Sequence, residues 1–186
     1  MGWKLEFGSE EVKYCANLAD HRMSLKTTPN HKKVDKTQSD FCTQYVGLMG
    51  ELTVARFLGV PVDERALIGG DGGVDFVVNQ RKLQVKTNTT TAGTKYLYFS
   101  DRASFDPAKV DIGILCVPRS MTCVEMVGWM YARRFWNVDC QTVSFGHGPV
   151  YAMHPKHLLS PFDLLAAVGK GGADVPEEAI CGSSGG

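Results

Sequence analysis

The chain has 186 residues, a formal net charge of zero at pH 7, 44% hydrophobic residues and 22% charged residues. This composition is ordinary for a folded globular protein, so it excludes a largely disordered chain. No apolar run approaches the length of a membrane span. Zero net charge excludes general attraction to polyanions, so any affinity for nucleic acid must come from a local patch.

Length and residue usage predict the domain organisation and the compartment. We expect a single domain over residues 1–168, with an N-terminal helical and basic segment at 9–38 and a flexible, glycine-rich tail at 169–186. The N-terminus lacks the apolar core of a signal peptide, and the six cysteines show neither C-x-x-C nor zinc-finger spacing. A cytoplasmic location with reduced thiols follows as an expectation.

Two helices are predicted in the first third of the chain. Residues 9–25 mix apolar and polar side chains at helical spacing, and Ser9 can cap their start. In the second helix apolar residues recur at steps of three and four, Ser39 or Asp40 can cap the beginning, and Gly59 ends it. These signals predict two amphipathic helices packed on a sheet.

Glu51 lies at the margin of the apolar stripe of the second helix. Gly47 and Gly50 are its neighbours, and their missing side chains allow the helix to approach the sheet closely. A carboxylate at such a margin is partly buried, so we expect it to have a charged partner or a metal ion.

A basic segment separates the two helices. Seven basic residues within sixteen positions are opposed by Asp35 alone: His21, Arg22, Lys26, His31, Lys32, Lys33 and Lys36. A segment of this kind can bind phosphates of a nucleic-acid backbone, and it can equally be a solvated loop. The sequence leaves both interpretations open.

Residues 74–87 predict a β-hairpin, because two runs of alternating apolar and polar residues flank a polar turn. A two-residue turn at Gln80-Arg81 places Asp75 directly opposite Lys86, with Gln84 diagonally beside Asp75 on the same face. A three-residue loop with a bulge would restore the same facing. On the hairpin alone, the acid and the lysine could also be a solvated surface pair.

Later segments read as further sheet elements and a closing helix: strands at 95–99, 110–117 and 122–130, a turn at Pro118-Arg119-Ser120, and a helix at 161–168. The nearly continuous apolar run at 110–117 is typical of a central strand covered on both faces. Cys116 and Cys123 flank the predicted turn and could face each other.

With these residues in place, the chain resembles the PD-(D/E)XK, or restriction-endonuclease-like, nuclease superfamily over residues 40–130. The resemblance consists of Gly50-Glu51 on a helix, Asp75 opening a strand, and Gln84-Val85-Lys86 on the next strand. It implies an α/β fold, a single-domain three-layer α/β sandwich with a central mixed sheet. It also implies hydrolysis of DNA phosphodiester bonds with Mg²⁺, for which Mn²⁺ can substitute.

The resemblance assigns roles to the site residues. Glu51 and Asp75 become metal-binding carboxylates, Lys86 becomes the catalytic lysine, and Gln84 stands where an acidic residue is usual. Because Mg²⁺ prefers oxygen ligands and keeps several waters, the Gln84 amide oxygen and the Val85 carbonyl complete a sufficient ligand set. The neutral Gln84 removes one negative charge from that set, and Asp71 is a further candidate ligand.

We therefore expect a metal-dependent nuclease, with an endonuclease favoured and DNA as its partner. Five residues are the candidate nucleic-acid contacts: Lys32, Lys33, Lys36, Thr87 and Lys95. No membrane association is expected, and a homodimer is compatible with the sequence. The alternative is a weak or inactive protein of the same fold that acts as a nucleic-acid-binding or protein-inhibiting module. A third hypothesis is an enzyme unrelated to nucleic acid, in which the hairpin is a surface feature.

Overall fold

The computed structural model describes residues 2–24, 39–62, 64, 73–89, 93–137, 140–144 and 149–169. Their helices are α1 (Ser9–Ser24), α2 (Asp40–Leu58), α3 (Ala132–Asn137) and α4 (Pro161–Gly169), with two short 3-10 turns at Ala103–Phe105 and Pro155–His157. Their strands are β1 (Trp3–Glu6), β2 (Phe76–Val78), β3 (Arg81–Thr87), β4 (Leu97–Phe99), β5 (Ile112–Ser120), β6 (Cys123–Tyr131), β7 (Gln141–Ser144) and β8 (Pro149–Met153). Most of the predicted basic segment and tail lie outside the described residues.

The main sheet is mixed, as predicted. Its five strands lie in the order β1-β6-β5-β3-β2, and β3 runs parallel to β5 while the other neighbouring pairs are antiparallel. β5 occupies the middle of this sheet, and residues 112–117 are all buried. The apolar run therefore does form a central strand covered on both faces.

The turn after β5 was predicted too early. The strand continues through Pro118 to Ser120, and the chain reverses at Met121-Thr122. Pro118 is tolerated because the pairing with β6 shifts register between Pro118 and Ser120, and an irregular ladder can accommodate a residue without an N–H. As a result Cys116 pairs with Met126 and not with Cys123, and the five cysteines among the described residues are free thiols.

The two N-terminal helices form as the sequence predicts. The Ser39 side chain accepts a hydrogen bond from the Cys42 N–H at 3.1 Å and caps the start of α2. At the other end Gly59 adopts the left-handed conformation, with φ of 68°, that ends many helices. Helix α1 packs against α2, and α2 lies on β3, β5 and β6.

Gly50 lets α2 approach the sheet. A side chain at this position would collide with the Thr87 hydroxyl, and its Cβ would lie 3.4 Å from that of Cys116. The Cys116 thiol in turn lies 3.8 Å from the Gly50 carbonyl oxygen. The predicted close approach is thus confirmed for Gly50, whereas nothing lies within 4 Å of a Cβ added at Gly47.

The opposite face of the main sheet is covered differently from our expectation. A second sheet in the order β4-β8-β7, together with α3 and the turn at Ala103–Phe105, encloses a separate hydrophobic cluster there. Three phenylalanines form its centre: Phe99, Phe105 and Phe135. The fold is therefore mixed α/β, with helices α1 and α2 on one face and mainly strands on the other.

Helix α4 confirms the predicted closing helix. It packs against β6, and the Asn79 side chain at the hairpin turn donates to the Val168 carbonyl at 3.0 Å. Within the described ranges, none of the helices combines the length and apolar character needed to cross a membrane.

Candidate active site

The hairpin of β2 and β3 forms with a register that differs from the predicted one. Phe76 pairs with Leu83 and Val78 with Arg81, so the two turn residues are Asn79 and Gln80, with φ of 47° and 70°. Turns with two positive φ values match the twist of the flanking strands, and asparagine adopts such angles readily. The predicted turn at Gln80-Arg81 was wrong by one residue.

Asp75 is hydrogen-bonded to Val85, the middle residue of the Gln84-Val85-Lys86 motif. Its backbone N–H donates to the Leu83 carbonyl at 2.9 Å, and its Oδ2 accepts the Val85 N–H at 2.6 Å. The carboxylate thus takes the place of a backbone acceptor just before β2 begins. Asp75 is therefore held beside Gln84 and Val85, and the predicted direct opposition to Lys86 does not occur.

The two faces of β3 carry different chemistry. Leu83 and Val85 belong to the core under α2, and Thr87 meets Gly50 of that helix. Side chains alternate along a strand, so Gln84 and Lys86 project from the other face. The contact of Lys86 with Phe99, in the cluster on that face, agrees with this assignment.

Gln84 brings an unusual acceptor to this face. The residue is 4% exposed, and its Oε1 is buried without a hydrogen-bond partner among the described residues. Gly73, with φ of 86°, lies against the amide, because a Cβ there would be 2.8 Å from Gln84 Nε2. Since buried polar atoms are nearly always satisfied, a buried amide oxygen of this kind calls for a donor or a cation.

Lys86 is half-buried, and its ammonium lies over an aromatic ring. Its Nζ is 5.6 Å from the centroid of Phe99, within the range of a cation–π interaction. Phe99 itself is 1% exposed. Lys86 therefore contacts the hydrophobic cluster that contains Phe99, Phe105 and Phe135.

Glu51 has a partner that the sequence did not reveal. Arg22 of α1 donates to both carboxylate oxygens, with Nη1 to Oε1 at 3.2 Å and Nη2 to Oε2 at 3.1 Å. The two side chains are only 18% and 15% exposed. Burial, followed by the charges of Glu11 and Glu51, raises the pKa of the Cys15 thiol to about 11. Glu51 thus lies at the α1–α2 contact, on the side of the sheet opposite to Gln84 and Lys86.

Arg22 was counted within the basic segment, but it belongs to the buried side of α1. It follows the buried Cys15, Leu18 and Ala19 at helical spacing. That spacing was visible in the sequence and could have separated Arg22 from the solvated cations. Its pairing with Glu51 could not be foreseen, because the two residues are 29 positions apart.

We expect Arg22→Met to lower the free energy of unfolding by about 2–4 kcal/mol, since it leaves a mostly buried carboxylate without its counter-ion. Urea unfolding of Arg22→Met, Glu51→Gln and the double variant would measure this, with the double variant recovering part of the loss. Arg56→Met is the matched control, because its pair with Glu11 is far more exposed, and we expect a loss below about 1 kcal/mol. Equal losses for Arg22→Met and Arg56→Met would contradict the assignment.

The candidate DNA contacts are only partly described. Thr87 is half-buried with its hydroxyl against α2, and Lys95 is half-buried just before β4. Thr87 Oγ1 is buried and has no hydrogen-bond partner among the described residues. The remaining candidates, Lys32, Lys33 and Lys36, and the additional ligand Asp71 lie outside the described residues.

The residues around β3 fit a divalent cation in part. Asp75 supplies a carboxylate, and Gln84 supplies a buried acceptor. Because the N–H and the carbonyl of one residue point to the same side of an extended strand, we expect the Val85 carbonyl on the side of Asp75. Glu51 fits less well, because Arg22 already balances its charge. Among the described residues no group of three or more His, Cys, Asp or Glu side chains is gathered around a common point. The fit therefore rests on Asp75, Gln84 and Val85.

Comparisons with protein-family models, with curated proteins and with solved structures found no match to this chain.

Proposed function

We propose that this chain is a Mg²⁺-dependent deoxyribonuclease of the PD-(D/E)XK type that hydrolyses DNA phosphodiester bonds internally. One observation carries the proposal. The Asp75 carboxylate is bound at 2.6 Å to the N–H of Val85, the residue between Gln84 and Lys86. Two motif pieces that are separate in the sequence are thereby joined at the end of one hairpin.

The chain offers oxygen ligands of the kind that Mg²⁺ prefers. Asp75 and Gln84 would hold the ion through a carboxylate and a buried amide oxygen, with the Val85 carbonyl directed to the same edge. A bound Mg²⁺ supplies a more acidic water and compensates charge on the phosphate. Mn²⁺, which also accepts oxygen ligands, would substitute.

Lys86 supplies the positive charge in the proposed reaction. Its side chain shares a face of β3 with Gln84, so an ammonium and an amide oxygen point toward the same space. The ammonium would stabilise negative charge that grows on the phosphoryl oxygens during in-line attack by water. Asp75 would keep the hairpin end rigid through its bond to the Val85 N–H while a DNA strand binds.

The fold is compatible with a restriction-endonuclease-like sandwich. The Asp75 hairpin lies at one edge of a mixed sheet, and β3 is paired in parallel with the buried central strand β5. Helix α2 packs on one face of these strands. The strand-rich layer on the other face is a departure from the arrangement that the resemblance implies.

A second candidate is a protein of similar fold that binds nucleic acid, or inhibits another protein, without turnover. The contact between Arg22 and Glu51 favours it, because the charge of Glu51 is already compensated. Gln84 contributes no charge either. The site would then contain a single strong anion, Asp75, to attract a metal ion.

Cleavage and binding assays on purified protein separate the two candidates. Supercoiled, linear, nicked, flapped and four-way DNA would be incubated with the protein in Mg²⁺, and binding to the same substrates would be measured in Ca²⁺. The nuclease proposal predicts Mg²⁺-dependent products that EDTA prevents. Binding without any product would favour the inactive module, and the absence of binding at low salt would contradict both.

The basic segment is expected to bind the DNA backbone and not the bases. Replacing Lys32, Lys33 and Lys36 together by glutamine should weaken binding similarly for all sequences, because phosphate contacts carry no sequence information. The slope of log K against log salt should flatten by up to about 2.7, since each contact contributes roughly 0.9. Titrations between low and moderate salt would measure the slope, and an unchanged slope would assign these lysines to a solvated surface.

A further inference from the structure

The face of β3 that carries Gln84 and Lys86 is covered by a rigid aromatic cluster. Phe99 stacks on Phe105 with ring centroids 3.9 Å apart and an interplanar angle of 5°. Phe135 meets both rings edge-on, with centroids 5.3 Å away in each case. All three side chains are at most 1% exposed, so the ring of Phe99 has little freedom to move.

Gly113 allows this cluster to lie directly on the sheet beside Gln84. It is the register partner of Gln84 on β5. A Cβ at Gly113 would lie 2.7 Å from Phe105 Cζ and 3.3 Å from Phe99 Cζ, so a side chain there would push the rings away. Because Gly113 has no side chain, the Phe99 ring can pack close to the sheet, next to the strand that carries Lys86.

The Lys86 ammonium lies over this fixed ring, with Nζ 5.6 Å from the Phe99 centroid. The face of an aromatic ring is electron-rich and attracts a cation, and the attraction increases as water is excluded. A lysine side chain has several rotatable bonds, so a positioned charge requires surrounding groups that limit its conformations. The Phe99 ring is such a group.

We propose that Phe99 is a positioning residue for Lys86: its buried ring face holds the ammonium where the phosphate of a DNA strand is received. The catalytic role of this contact rests on the proposed function. The contact between Lys86 and Phe99 rests on the geometry alone. Phe99 acts through Lys86 and need not touch the substrate.

Fluorinated phenylalanine tests the proposal with almost no change of shape. Incorporating 3,4,5-trifluorophenylalanine at position 99 weakens the negative potential of the ring face while the packing is kept. We expect DNA cleavage under saturating conditions to slow by about 3- to 10-fold, with DNA affinity in Ca²⁺ and thermal unfolding nearly unchanged. The same substitution at Phe135, a ring of the same cluster, is the matched control and should alter the rate by less than about 2-fold.

A second measurement does not depend on nuclease activity. The rate of acylation of Lys86 by an amine reagent, followed by peptide mass spectrometry, should increase in the position-99 variant relative to wild type, because the ammonium is held less firmly. Lys82, which is exposed on the same strand, serves as the internal reference.

The outcomes distinguish this inference from the proposed function. Unchanged cleavage and unchanged acylation in the position-99 variant would overturn the role of Phe99 while leaving the nuclease in place, as would equal slowing by the substitution at Phe135. A wild-type protein that cleaves no DNA would overturn the proposed function and the catalytic purpose of the contact. The acylation rates would still decide whether the ring holds the lysine.

Discussion

Asp75→Asn is expected to weaken Mg²⁺ binding and DNA cleavage together, each by about 10-fold or more, because it removes one of the two carboxylates of the predicted ligand set, and the other, Glu51, is paired with Arg22. Asparagine keeps an oxygen that can accept the Val85 N–H, so the bond that ties the hairpin end to β3 can persist. The variant therefore separates the charge of the residue from its structural contact. Calorimetry would measure Mg²⁺ affinity, and single-turnover assays would measure cleavage.

Asp111→Asn is the matched control for Asp75→Asn. Its Oδ2 accepts the Lys82 N–H at 2.8 Å, so it is also a carboxylate bonded to a backbone N–H of β3. It should leave Mg²⁺ affinity unchanged. Equal Mg²⁺ affinity in wild type and Asp75→Asn would contradict the ligand assignment.

Gln84→Glu is the reciprocal variant and should act in the opposite direction. A carboxylate at this 4% exposed position is costly without a cation, so the variant should unfold at lower temperature in EDTA. Mg²⁺ should restore its stability and bind more tightly than to wild type, since the site then has a second carboxylate beside Asp75. Thermal unfolding with and without Mg²⁺ would measure both effects.

Lys86→Ala is expected to lower the rate of cleavage by about 100- to 1,000-fold, as the loss of one positioned electrostatic group typically does. Its effect on DNA affinity should be small, because one phosphate contact among many contributes little to binding. A loss in turnover without a matching loss in binding indicates stabilisation of the transition state and not of the bound substrate. Single-turnover rates and DNA affinity in Ca²⁺ would establish the split.

Lys82→Ala provides the control for Lys86→Ala. Lys82 belongs to the same strand, four residues before Lys86. It therefore projects from the same face of the strand, and it is exposed. Its replacement removes an equal charge four positions before Lys86 and leaves the contact of Lys86 with Phe99 in place. We expect cleavage within about 2-fold of wild type, as is usual for exposed substitutions. Similar slowing by both variants would indicate a general loss of positive charge.

The elements that the sequence predicted correctly are those whose ends or burial are specified by residues close together in the chain. Helix α2 begins and ends at its capping residues Ser39 and Gly59, and β5 coincides with most of a nearly continuous apolar run. The close approach of Gly50 to the sheet could also be predicted from the sequence. A glycine inside a helix commonly marks a point where the helix packs closely against a neighbouring element. Local propensity and tertiary structure agree at these positions.

The errors and omissions come from contacts between distant parts of the chain. The hairpin turn was displaced by one residue because Asn79-Gln80 lacks the glycine that marks such turns most clearly. Strands β7 and β8 are short, and β7 is largely exposed, so they carry little periodic signal. The bond from Asp75 to Val85, the pairing of Arg22 with Glu51, and the ring over Lys86 each required the folded chain.

Glu51 shows the largest difference between the expected and the observed site. The resemblance to the nuclease superfamily implied that Glu51 would join Asp75 and Gln84 as a metal ligand, whereas the helical pattern alone predicted only a charged partner or a metal ion for it. The structure instead pairs Glu51 with Arg22 on the helical side of the sheet. An amphipathic pattern assigns a side chain to a face of its own helix, and it does not determine which neighbour that side chain meets.

The most direct test of the central claim is the conversion of supercoiled plasmid in Mg²⁺ by wild type, Lys86→Ala and Lys82→Ala, purified identically and compared at equal concentration of folded protein. We expect nicked or linear products with wild type and Lys82→Ala, no products without metal, and conversion slowed by about 100-fold or more with Lys86→Ala. Undiminished conversion by a folded Lys86→Ala protein would contradict the claim that this hairpin carries out the chemistry.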